Sequence, residues 1–234
     1  MTTTNKRTIR SYVLRQGRMT DAQVKALDEL WPDHGIDFEE KSLDLDTLFK
    51  RTAPRVLDIG SGMGDTLIEL AMRHMENDYL AVEVHRPGVG KLLDNANKHQ
   101  LTNIRIFNHD IMDVLKHQLP DHSLDEVYIF FPDPWPKKRH HKRRLVNPDF
   151  LNLLIPRLKR HARLYLATDW EDLAEYMRDI CDANQGLINL AGTGHYAPRA
   201  AWRPITKFEQ RGLKLGHRVW DLCYGVKNKV KRKT

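Results

Sequence analysis

The sequence predicts an α/β fold: a doubly wound, mostly parallel sheet with an antiparallel C-terminal edge. Three observations carry that expectation. Short aliphatic runs recur from Arg55 to Ala167, separated by segments of helical apolar spacing roughly 10–15 residues long, a rhythm that implies right-handed crossovers between parallel strands. A glycine cluster, Gly60-Ser61-Gly62-Met63-Gly64, follows the first strand directly and opens a helix. After residue 186 the rhythm changes to two strand-like runs around a Pro/Gly/Arg-rich loop, which is most economically an antiparallel edge.

In order, residues 1–18 read as a basic arm (Lys6, Arg7, Arg10, Arg15, Arg18). A short helix is expected over Thr20–Trp31, stopped by Pro32, and a weak second element over Phe38–Phe49. From Pro54 the alternation gives strand Arg55–Ile59, helix Asp65–Met75, strand Tyr79–Glu83, helix Val89–His99, strand Ile104–Phe107 and helix Ile111–Leu119. It continues with strand Leu124–Phe131, helix Asp149–Leu158, strand Ala162–Ala167 and helix Trp170–Ala183. Strand Gly186–Ala191, helix Thr206–Leu213 and strand His217–Val226 close the chain. No linker interrupts 54–226. The expected organisation is therefore an N-terminal extension (1–53), one domain (54–226) and a basic tail (227–234).

With 234 residues the chain is long enough to bury roughly 70% of its unfolded surface without staples. Two cysteines, Cys181 and Cys223, form no disulfide or metal pattern, so a reduced, intracellular protein is expected. No apolar run approaches the ~18 residues of a membrane span, and the N-terminus lacks an apolar signal core. The net charge of +7 is unevenly spread. Residues 1–18, 137–144 and 227–234 hold 16 of the 38 basic side chains and none of the 31 acidic ones, leaving a net acidic body. The termini suit solvated tails as well as contacts. The run Lys137–Arg144 does not, because it follows directly on a buried strand, and it reads as a nucleic-acid contact.

Asp58-x-Gly60-x-Gly62-x-Gly64 is a turn in which glycines let the backbone approach a ligand. A dinucleotide fingerprint needs glycine at 65, where Asp65 stands, so a nicotinamide-dependent dehydrogenase is excluded by spacing. The observed pattern resembles motif I of class I methyltransferases that use S-adenosylmethionine. Glu83 ends the second strand, where a carboxylate can accept both hydroxyls of a ribose. Asp110 ends the third and can accept from an adenine amino group or cap the helix from Ile111. At the end of the fourth strand, Pro132-Asp133-Pro134-Trp135 stops the run abruptly. It looks like a relative of the Asp/Asn-Pro-Pro-aromatic loop with which class I amino-methylating enzymes meet the base. Trp135 suits stacking on a base, shielding a sulfonium or plain packing. His140-His141 lacks Cys or acidic neighbours at ligand spacing, so no metal site is expected. Thr206-x-x-Glu209 also reads as a capping box and Asp169 as the cap of the helix from Trp170.

PDPWPKKRHHKRR, with D-I-G-S-G-M-G and E-V-H upstream and T-D-W and T-K-F-E downstream, resembles the bacterial tRNA (guanine-N7-)-methyltransferase family. The resemblance runs from about Ser11 to Gly225 and includes RQGRMTDAQVKALDELWP near the N-terminus. It implies a Rossmann-like class I methyltransferase fold, S-adenosylmethionine as cofactor, tRNA as partner, a variable-loop guanosine as target and a cytoplasmic location. It assigns Asp58, Glu83, Asp110 and Asp133 to the cofactor, beside Gly60, Gly62 and Gly64 from the loop itself, and Asp133 also to catalysis. It assigns Lys137, Asp169, Thr206, Lys207, Phe208 and Glu209 to the substrate, and Arg139, His140, His141, Lys142, Arg143 and Arg144 to RNA. Asp58 stands where the family pattern has Glu, one methylene shorter, which leaves room for a bridging water. No obligate protein partner is evident. Two other readings stay open on the residues alone: an amino-methyltransferase acting on another nucleic acid or on protein, and an RNA-binding protein without chemistry.

Overall fold

A computed structural model describes residues 9–13, 17–214, 216 and 218–227; the side chains at 207, 208, 211 and 213 are outside that description. The strands are β1 (Gly35–Ile36), β2 (Arg55–Ile59), β3 (Asp78–Val82), β4 (Ile104–Phe107), β5 (Leu124–Phe130), β6 (Leu158–Thr168), β7 (Leu187–Asn189) and β8 (Trp220–Val226). They form one sheet in the order β1-β4-β3-β2-β5-β6-β8-β7. All pairings from β1 to β6 are parallel; β8 is antiparallel to both β6 and β7. The expected antiparallel edge is present, with β8 inserted between β6 and β7.

Every residue of β2 and β3 is buried. That is the pattern of parallel strands covered on both faces. Alternation sorts the side chains: Leu57, Ile59, Leu80, Val82, Val127 and Ile129 join one core, while Val56, Tyr79, Ala81 and Tyr128 join the core on the other side. The chain leaves β2 toward β3 and β4, then returns to place β5 on the opposite flank of β2. The order therefore reverses between β2 and β5. Ligand crevices open at such a switch point, outside the carboxyl ends of the strands.

The helices are α1 (Asp21–His34), α2 (Leu45–Phe49), α3 (Asp65–Arg73), α4 (Arg86–Lys98), α5 (Ile111–Asp113), α6 (Pro148–Leu154), α7 (Glu171–Ala183) and α8 (Lys207–Lys214). Four differ from expectation for local reasons. Helix α1 runs through Pro32, because a proline in the final turn forfeits one bond and the N–H of Gly35 still closes on Trp31 O. A reciprocal capping box of Thr20 and Gln23 starts it, and Ala26 and Leu27 pack in the core with α4. The segment after Ile111 turns π-helical over Val114–Gln118, closing Leu119 N on Val114 O before Pro120 ends it. Helix α6 stops at Leu154, because Pro156 admits only a 3₁₀ turn (Ile155–Arg157), and Leu158 already pairs with Leu124 in the sheet. The 38–49 stretch yields only α2, capped by Asp44. Strand β1 carries no periodic signal at two residues and pairs with β4. Among the described residues no helix is long and apolar enough to cross a membrane.

Candidate active site

Two loops meet at the switch point. The first leaves β2 with Gly60, Gly62 and Gly64 at φ +80°, +57° and +81°, a left-handed backbone that glycine adopts without strain. Gly60 donates to Val82 O at 2.9 Å, which holds the loop against β3. The second leaves β5. Phe131 and Trp135 bracket Pro132-Asp133-Pro134 and both have positive φ, +54° and +46°. Bulky residues persist there only where surroundings over-determine them. Phe131 N donates to Ala167 O at 2.8 Å, the Trp135 indole N–H donates to Ser11 O at 2.9 Å, and Arg144 Nε donates to Pro134 O at 3.2 Å.

A cavity of about 590 Å³ lies between these loops, lined by Gly60, Glu83, Asp110, Asp133 and Trp135 together with Ser11 and Tyr12. A second, of about 570 Å³, is lined by Asp58, Ser61, Gly62, Gly64 and Thr206, and shares Gly60, Phe130 and Phe131 with the first. The four carboxylates predicted to converge are thus arranged as three plus one, with Asp58 across the Gly60–Phe131 divide.

Each acid is held differently. Glu83 is buried, and its two oxygens accept the backbone N–H groups of Gly62 at 2.7 Å and His85 at 2.8 Å. One lone pair per oxygen remains for a ligand. Asp110 accepts from Met112 N at 3.0 Å, so it caps α5 while also lining the cavity; both readings of it hold. Asp58 is buried, and burial pushes its carboxyl up to about 6, with the charge of Glu83 adding to the rise and a Ser61 hydrogen bond opposing it. Asp133 is exposed at the cavity rim.

The basic run is a 3₁₀ helix, Lys138–Arg143, following directly on Lys137. Lys137, Lys138, Arg139 and Lys142 are exposed. His140 packs edge-on to Trp135 at 5.8 Å and the Arg143 guanidinium lies 5.1 Å from the same ring. Desolvation first, then the cations Arg139, Arg143, Lys137 and Lys142, hold the His140 imidazole below its ordinary value. Arg144 departs from its expected place on the RNA-facing surface: its side chain is only 1% exposed and is turned inward to Pro134 and Asp172.

The remaining predicted residues divide. Thr206 lines the Asp58 cavity and accepts from Glu209 N at 3.0 Å, half of a capping box. The other half is absent because the buried Glu209 carboxylate pairs with Arg203 at 2.7 Å and Arg199 at 2.8 Å instead. Burial alone raises Glu209, but the two arginines together hold it below its ordinary range. Asp221, which accepts from Arg203 Nε at 3.0 Å, is pushed up by burial. The side chains of Lys207 and Phe208 lie outside the described residues. Asp169 does not cap α7, which starts at Glu171 with Trp170 in the N-cap position and no side-chain cap bond. It lines a separate groove with Trp170, Arg218 and Trp220, and Lys137 lines neither cavity.

Sequence reasoning missed two contributors. Ser11, Tyr12 and Val13 form a wall of the larger cavity, although they belong to what reads as a basic arm without periodicity. Arg203 lies 5.5 Å from the Phe130 ring and 5.7 Å from the Phe131 ring, backing the second loop. Its only signal is a charged residue inside an apolar Trp202-Arg203-Pro204-Ile205 stretch.

Residues 52–222 match the Methyltransf_4 family model, described as "Putative methyltransferase". A tRNA (guanine-N(7)-)-methyltransferase of Nitrosomonas eutropha is 56% identical over 216 residues, covering 92% of this chain and 96% of its own. One from Nitrosospira multiformis is 53% identical over 221 residues, covering 94% and 96%. In fold, the chain is similar to a 16S rRNA (adenine(1408)-N(1))-methyltransferase of Catenulisporales acidiphilia solved with its cosubstrate SAM, at TM-score 0.53 and 16% identity over 85% of this chain and 96% of that one.

Proposed function

The chain belongs to the tRNA (guanine-N(7)-)-methyltransferase family, and we propose that its strand-end crevice binds S-adenosylmethionine and seats the target guanine beside Asp133. The protein is an enzyme that methylates N7 of a guanosine in tRNA. The observation that carries the proposed site is that Gly60, Glu83, Asp110 and Asp133 line one cavity.

The residues suit that cofactor. Added Cβ atoms at Gly60 and Gly62 would meet nothing within 4 Å, so bare backbone faces open space there. Gly88 closes the loop from behind, where a Cβ would stand 2.5 Å from Gly62 O. Glu83 offers a carboxylate for a ribose diol, Asp110 one for an adenine amino group, and Asp58 a buried negative charge behind the glycines. When bound, S-adenosylmethionine supplies an electrophilic methyl group on a positively charged sulfur.

Guanine N7 already carries an in-plane lone pair and loses no proton on methylation, so no strong general base is needed. Catalysis is then chiefly alignment of nucleophile and methyl carbon. Asp133 accepts from the guanine N1–H and amino group, which turns N7 inward and stabilises the positive charge that grows on the ring. The two prolines and the two left-handed residues around Asp133 fix the backbone that carries that carboxylate before the base arrives. The 3₁₀ helix presents exposed cations to the phosphates; folded RNA is read largely by shape. A cytoplasmic site of action follows from the tRNA substrate.

Incubating tRNA with the protein and methyl-labelled S-adenosylmethionine, then mapping the label, tests this reading. The expected product is 7-methylguanosine at a variable-loop guanosine. Label on an exocyclic amino group, or none, refutes it.

A further inference from the structure

We propose that Arg144, the last of the six clustered cations, is a positioning residue for the Asp133 loop and makes no contact with RNA. The inference rests on the role given to Asp133 above. Every neighbouring cation in the run has its side chain outward or half-buried, whereas Arg144 is almost completely buried. Its guanidinium makes contacts on three sides. Nε donates to Pro134 O at 3.2 Å, Nη1 to Asp172 O at 3.4 Å, and Nη2 to the Asp172 carboxylate and toward His141 Nε2 at 3.2 Å. Its plane also lies 4.9 Å from the Tyr176 ring centre, one turn along α7 from Asp172. Its backbone is fixed as well: N–H to His141 O at 2.9 Å, and carbonyl to Asn147 Nδ2 at 3.0 Å.

Arg144 therefore rivets the Pro-Asp-Pro-Trp loop to the first turn of α7. Pro134 has no N–H, so its carbonyl is the one main-chain polar group by which that residue can be gripped. That carbonyl belongs to the peptide leading into Trp135, whose φ is +46°. Holding the peptide plane sustains the left-handed turn and sets where the loop carries Asp133. A guanidinium fork can serve Pro134 and Asp172 together; an ammonium is a point charge on a flexible stem and cannot keep both at these angles. A buried guanidinium also needs its countercharge, which Asp172 supplies from the solvent side, its own side chain being 59% exposed. The run thus divides into cations left exposed or half-buried and one buried between the catalytic loop and α7.

Phosphate contact and loop positioning give different readouts. A lost phosphate contact weakens tRNA affinity and removes about one from the slope of log affinity against log salt. A loop displaced by about 1 Å costs up to ~10²-fold in rate and leaves that slope alone. The test measures single-turnover methyl transfer at saturating tRNA and S-adenosylmethionine, and tRNA affinity across a salt series, for wild type, Arg144→Lys, Asp172→Ala, the double variant, Asp133→Asn and Lys142→Ala. Arg144→Lys is expected to lower the rate by ~10- to 100-fold with the salt slope unchanged. Asp172→Ala, which removes the countercharge at an exposed position, is expected to lower the rate in the same direction by a smaller factor. The double variant should fall short of the product of the two, as coupled residues do. Lys142→Ala, which removes an exposed cation of the run, should take about one from the salt slope. An Arg144→Lys protein with wild-type rate overturns the proposal whatever its salt slope, as does an Asp172→Ala protein with wild-type rate. Wild-type protein that forms no 7-methylguanosine sinks the functional reading itself. An Asp133→Asn variant at full rate removes the role of Asp133, and the positioning proposal with it, even where methyl transfer is intact.

Discussion

Asp58 is a carboxylate kept in the core at an energetic cost, and Asp58→Asn should reveal it. Burial raises its carboxyl to about 6, against an unfolded value of 3.8. Between those values the native state holds a proton that the unfolded chain has released, so stability falls as pH rises. Below 3.8 both states are protonated and there is no penalty; above about 6 both are ionised and the penalty is complete. At 1.36 kcal/mol per pH unit the shift corresponds to about 3 kcal/mol. Asparagine cannot ionise. The stability of Asp58→Asn relative to wild type should therefore improve by about 2–3 kcal/mol between pH 4 and pH 8, whatever the fixed cost of the amide. Urea unfolding of both proteins at a series of pH values measures the difference. Parallel curves would show that Asp58 titrates normally despite its burial. The same ionisation should govern the ligand: if the negative charge attracts cationic S-adenosylmethionine, calorimetric affinity weakens as pH drops through 6 in wild type and stays flat in Asp58→Asn.

Three further outcomes follow from the site. Asp133→Ala should lower the single-turnover rate by ~10²-fold or more with little change in tRNA affinity, measured by filter binding; an intact rate would end its orienting role. Arg143→Ala should weaken tRNA binding and reduce the salt slope by about one, against a wild-type affinity that falls ~10³–10⁵ between 50 and 200 mM salt if some 6–10 phosphates are contacted; a flat wild-type plot would refute phosphate binding by the basic run. Glu209→Gln leaves Arg203 buried against Asp221 alone and should cost about 3 kcal/mol in chemical denaturation; if stability is unchanged, the Arg199–Glu209–Arg203–Asp221 network is not what holds α8 to β8.

The fold was legible because its signals are local and repeated. Apolar strands such as Val56–Ile59 and Leu80–Val82 announce burial on both faces, and the glycines at 60, 62 and 64 announce the turn between β2 and α3. The acids at strand ends were legible for the same reason: their position along the chain fixes their position on the sheet rim. What stayed hidden depends on contacts distant in sequence. Arg144 looks like its neighbours until Asp172 and Tyr176 are folded against it. Glu209 reads as half of a capping box until Arg199 and Arg203 take its carboxylate. Ser11 becomes part of the site through a single carbonyl that meets the Trp135 indole 124 residues away. Helix ends at Pro32 and Pro156 were misjudged in opposite directions, because proline forbids a bond without saying how many turns remain to use it.

The sheet finishes on one flank with a strand of two residues and on the other with a strand of three. Strands that short present few unpaired amides and carbonyls, so a second molecule finds little main chain on which to extend the ladder. A row of apolar parallel strands is thereby guarded at both flanks against continuing into a neighbouring molecule and stacking into fibres.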